Sequence, residues 1–108
     1  MRYLVKTLDA ATEDIQGIHQ WLARRSLSGA ETWYRTLARV VNELAVAPDR
    51  HPLAPESTGL PRQIRQVLFH TPQGNKFRLL FTIVDDEVRV LRVRGPGQAP
   101  LRKRDFLD

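Results

Sequence analysis

Pro48, Pro52, Pro55, Gly59 and Pro61 crowd into fifteen residues, 48–62, near the middle of the chain. Proline fixes φ and has no N–H to donate, so no regular helix or strand runs through this stretch. The two flanks must fold as separate groups of elements, and they differ in hydrophobic period.

Upstream the period is helical. Ala11, Ile15, Ile18 and Leu22 share one face of a helix predicted over residues 9–25. Asp9 can cap it, Glu13 and Asp14 suit its positive N-terminal end, and Arg24-Arg25 complement the other end. After a break at Ser26-Leu27, Ser28-Gly29-Ala30-Glu31 has the form of a capping box. The second helix, predicted over 28–47, carries Trp33, Leu37, Val40, Val41 and Leu44 along one stripe and stops before Pro48. So short a break makes the pair an antiparallel hairpin. Residues 2–8 alternate weakly and read as a first strand.

Downstream the period is that of strands. Residues 64–69 form one run, and residues 77–84 form a nearly continuous apolar run of the kind buried on both faces. Asp85-Asp86 turns the chain, residues 88–94 return, and Gly95-Pro96-Gly97 ends the last strand. A polar, basic tail follows over 98–108, with Leu101, Phe106 and Leu107 available to pack. The order predicts one α+β domain over residues 1–108: an N-terminal strand and antiparallel helical hairpin on one face of a small, mainly antiparallel four-stranded sheet. The other face is expected to stay partly open. Ile15, Ile18, Leu22, Leu37, Val40, Val41, Leu44, Leu79, Phe81 and Val90 are the expected core.

With 108 residues the chain has room for one hydrophobic core. Its net charge of +5 is uneven: residues 1–61 carry seven Lys/Arg and seven Asp/Glu, whereas residues 62–108 carry ten and five. A localised excess of that sign suggests an anionic partner, nucleic acid or acidic protein. Cysteine is absent, which excludes disulfides and thiolate chemistry, and three histidines at 19, 51 and 70 lack metal-ligand spacing. There is no phosphate-binding glycine loop, nucleophile elbow or His-Glu-x-x-His, so neither a cofactor nor a metal is expected. No apolar run approaches the ~20 residues of a membrane span, and the N-terminus lacks a signal-peptide core. No membrane partner is expected, and the cytosol is the expected compartment.

Arg65, Arg78, Arg92 and Arg94 are the candidate binding residues, one or more on each of three adjacent strands. Guanidinium groups that converge on an open sheet face make a phosphate-sized cationic site. The plainer alternative for each is snorkelling to solvent or pairing with a nearby carboxylate. Strict alternation on the last strand puts Arg92 and Arg94 on one side, opposite Leu91 and Val93. His70, at the end of the second strand, is a candidate general acid or base, or else a solvated turn residue. His19 and His51 read as structural, Trp33 as core and Tyr34 as helix surface.

The strand–helix–helix opening, residues 48–56, 64–69, 77–83 and 88–94, and Gln98-Ala99-Pro100-Leu101 together resemble the RelE/ParE family of type II toxins. The resemblance implies a growth-inhibiting toxin held inactive by a cognate acidic antitoxin. In the RelE branch it further implies cleavage of mRNA on the ribosome, for which Arg65, His70 and Arg78 are the candidate catalytic residues here. That branch also places a second lysine where Val67 stands, and basic or tyrosine residues where this chain has Gly95-Pro96-Gly97. These departures leave acid–base chemistry poorly supplied and favour the ParE branch, which blocks DNA gyrase without cutting RNA. A toxin that has lost toxicity but retains antitoxin binding is the remaining alternative.

Overall fold

Helical spacing upstream of the proline-rich stretch produces two helices, α1 (Asp9–Ala23) and α2 (Leu27–Glu43). Their ends differ in detail from the expectation. Leu8 occupies the cap position of α1 and makes no side-chain bond, while Asp9 sits in the first turn, where its charge faces the helix dipole. Ser26, not Ser28, caps α2, its Oγ accepting the Gly29 N–H at 3.0 Å. The helix starts two residues earlier than the box motif implied, so the Gly29 N–H lies over Ser26. At the other end α2 stops at Glu43 rather than 47. The Tyr3 N–H donates to the Ala45 carbonyl at 2.8 Å, and Ala47 turns left-handed (φ 49°) into the 3₁₀ turn Pro48–Arg50.

The computed structural model describes residues 2–106, so Leu107 lies outside the described residues. The strands are β1 (Leu4–Thr7), β2 (Arg65–His70), β3 (Lys76–Val84) and β4 (Glu87–Arg94), in the order β1-β4-β3-β2. β1 runs parallel to β4, with the helical hairpin in the connection between them, and the other two pairings are antiparallel. Ile18, Trp33, Leu37, Val40 and Leu44 pack on Phe69, Phe77, Leu79, Phe81, Val88, Val90 and Val93, with Ile15, Leu22 and Val41 half-buried at the margin. This is the expected core, with Trp33 as expected inside it against Phe77 (5.6 Å between rings), and it is enlarged by the Phe69–Phe77 stack at 5.5 Å.

Strict alternation fails on β4. Leu80 pairs with Arg92 but Phe81 pairs with Val90, so Leu91 is an extra, bulged residue. Val90 and Val93 therefore both face the helices, while Leu91 packs on the opposite side with Leu80. The expected grouping of Arg92 with Arg94, opposite Val93, holds in the register, and the bulge corrects only Leu91, which joins their side of the sheet.

The far face of the sheet, expected to be partly open, is open around Leu68, His70 and Lys76 but covered around Leu80. Ala54, Ile64, Leu80 and Leu101 form a small buried cluster there, flanked by Leu60, Leu91 and Phe106. The proline-rich segment and the tail thus lie across the sheet. That segment holds the 3₁₀ turns Pro48–Arg50 and Pro55–Ser57 and pairs with β2 through a Leu53–Arg65 bridge.

Candidate functional site

Alternation along β2 and β3 puts Gln66, Leu68, His70, Lys76, Arg78 and Leu80 on the far face, and Arg94 joins them as the register partner of Arg78. Arg78 is its centre. Its guanidinium forks onto Glu56, with Nη1 at 3.0 Å from Oε1 and Nη2 bonded to Oε2, and Nη1 also donates to Gln66 Oε1 at 2.8 Å. The Glu56 side chain is only 5% exposed and Arg78 24%. The Leu101 N–H donates to the same Glu56 oxygen at 3.3 Å, which ties the tail to the pair. Hydrogen bonding from Arg78 holds the Glu56 carboxyl below its ordinary range, against the opposing effect of burial. The same bond raises the Arg78 pKa above its already high value.

The other candidate arginines are each engaged separately. Arg65 shares the helix-side face with Val67 and donates to the His51 carbonyl at 2.7 Å. Arg92, the register partner of Leu80, forks onto Asp14 of α1 at 2.7 and 3.0 Å, and the Val93 N–H donates to the same carboxylate at 3.0 Å. The bond to Asp14 raises the Arg92 pKa. Arg94 donates to the Ala99 carbonyl. Arg78, Arg92 and Arg94 thus start from the far face, with Arg78 and Arg94 direct neighbours, but the Arg92 guanidinium is drawn to α1 and Arg65 lies on the helix side, each an anchor between elements.

His70 is exposed and pairs with Lys76, two residues along the ladder from the Leu68–Arg78 pair. It shares the face of Arg78 at about 7 Å along the strand. His19 stands edge-on to Tyr34 (6.1 Å), and His51 edge-on to Phe81 (5.8 Å). Burial first, and then the charge of Arg50, lowers the His51 pKa. Glu56 and Asp14 were missed as site residues. Glu56 lies in a segment without periodicity, and Asp14 was read only as a charge for the helix dipole. Among the described residues no three of His, Cys, Asp and Glu gather into a metal-ligand cluster, and no helix is long and apolar enough to cross a membrane.

Two helices over one face of a four-stranded mixed sheet make an α+β fold of the RelE-like kind. A solved structure of the E. coli toxin RelE, an arginine-to-alanine double mutant in the free state, superposes with a TM-score of 0.56 at 16% identity, covering 86% of this chain and 82% of that one. The model of the ParE toxin of the type II toxin–antitoxin system parDE matches residues 5–100, and the chain belongs to that family. A search among curated proteins gives no significant match.

Proposed function

We propose that this chain is the growth-inhibiting toxin of a type II pair, neutralised by a cognate acidic antitoxin and acting on DNA gyrase rather than on mRNA. The observation that carries this reading is the state of Arg78. A nuclease needs a guanidinium free to meet the developing phosphate charge and a proton carrier beside it. Here Glu56 and Gln66 already engage that guanidinium beneath the tail. Arg65 is held by the His51 carbonyl on the other face. The match to the ParE family supports the same branch. In this reading Arg78 and Arg94 border the target-binding face, while Arg65 and Arg92 brace it.

One observation favours the RelE-like alternative: His70 and Lys76 share the face of Arg78. The two readings separate in a pair of assays on the purified chain. Gyrase supercoiling should be inhibited while mRNA on translating ribosomes stays intact. Codon-positioned cuts by the wild type, lost in His70→Ala and in Arg78→Ala, would overturn the proposal in favour of the nuclease.

A further inference from the structure

Counting charges along the chain places the positive excess after residue 61, yet five arginines of that half are spent on internal contacts. Arg65 and Arg94 donate to backbone carbonyls, and Arg78, Arg89 and Arg92 pair with Glu56, Glu87 and Asp14. The helix layer shows the opposite arrangement. Arg35 and Arg39 stand one turn apart on the exposed face of α2, and Arg50 ends the 3₁₀ turn beyond it. Together with Ala38, Asn42, Glu43 and Val46 they line one open concavity of about 540 Å³. Among the described residues none of these three guanidinium groups has a salt bridge. Glu43 is the single carboxylate in the lining, and Arg2 adds a further cation, its backbone bridged to Val46 at the rim. The charge of Arg50 also contributes to the lowered pKa of His51 behind it.

We propose that this α2 surface binds the phosphodiester backbone of duplex DNA. Three arguments select that ligand. Guanidinium is the side-chain group best matched to phosphate, and here its partners are unfilled. Arg35 and Arg39 are carried on a rigid helix with about 6 Å between their positions along the axis, so cations are presented in a row rather than at a point. Third, no aromatic ring lines the concavity. Single-stranded nucleic acid is recognised by stacking its bases on such rings, and protein interfaces centre on aromatic or large apolar anchors. A stacked duplex, offering only its backbone, needs neither. The surface lies on the helix layer, away from Arg78, and the proposal does not depend on gyrase being the target.

The test is fluorescence anisotropy of a labelled duplex of about 20 base pairs, titrated with the full chain across a salt series. The variant is Arg35→Ala/Arg39→Ala/Arg50→Ala, with Arg102→Ala/Lys103→Ala/Arg104→Ala as a control that removes the same charge from the tail. The expected result is that the α2 variant flattens the slope of log affinity against log salt by about 2–3, at roughly 0.9 per lost phosphate contact. The tail variant should keep the wild-type slope. All six positions are exposed, so both variants should melt like the wild type. No duplex binding by the wild type, or equal flattening in both variants, would overturn the proposal. So would equal binding of a single-stranded RNA of the same length through the same arginines. If the α2 variant keeps duplex binding but loses an acidic antitoxin, the surface is a protein interface instead.

Discussion

At the scale of single residues, the far face turns on the Glu56–Arg78 pair. Replacing Glu56 with Ala leaves a largely buried guanidinium with only Gln66 to satisfy it. Breaking such a pair typically costs about 3–5 kcal/mol; because Arg78 retains some solvent access, about 2–3 kcal/mol is expected here, read from urea unfolding. The pair also sets a pH dependence. The folded Glu56 carboxyl titrates below its ordinary value of 4.5, so its contribution is complete above that value and fades as pH falls through the lower folded pKa. Wild type should therefore lose more stability than Glu56→Gln when the pH is lowered from about 6 to below about 4.5. Equal losses would assign the acid sensitivity to other carboxylates. Ala47 makes the opposite case. Its left-handed φ of 49° costs an L-residue about 1–2 kcal/mol, whereas glycine there loses about 0.5–1 kcal/mol in chain entropy. Ala47→Gly should thus raise stability by up to about 1 kcal/mol, a gain visible as a higher urea midpoint.

At the scale of elements, what the sequence made legible follows from periodicity and what it hid follows from tertiary choice. Both helices, the three C-terminal strands and every expected core side chain are found where apolar spacing puts them, because burial of one stripe or face leaves little freedom. Leu37 shows the strength of that constraint: at 3% exposure, its truncation to Ala should cost about 2–5 kcal/mol, measured by thermal or urea unfolding. The Leu91 bulge was not legible. An extra residue leaves no mark in an apolar count, yet it lets Val90 and Val93 both face the helices and sets Leu91 on the far face. The cover on the far face was equally hidden. Ala54, Leu60, Ile64 and Leu101 are too widely spaced to form a pattern, and only the folded chain brings them over Leu80. The candidate site was therefore half legible. Arg78 and Arg94 do adjoin, but Glu56, the carboxylate partner of Arg78, comes from a segment with no period to read.

At the scale of the whole molecule, net charge and available charge are different quantities. Reversing Arg78 or Arg92 sets two carboxylates against each other inside the fold, so either change acts on stability before it acts on a partner. Cations that act through space must be sought among exposed side chains, and in the C-terminal half these include Arg102, Lys103 and Arg104 of the tail. In the proposed reading, an acidic antitoxin is drawn in by such charges at distances up to about a Debye length, near 10 Å at 0.1 M salt. Replacing the three with Ala should slow association with the antitoxin severalfold at low salt and leave the dissociation rate nearly unchanged. The difference should shrink as salt rises, since screening removes the long-range attraction while leaving short-range contacts in place. Stopped-flow association across a salt series reads this directly. A deficit that persists undiminished in high salt, or that appears in the dissociation rate, would mean that the antitoxin grips the tail itself rather than being drawn in by its charge.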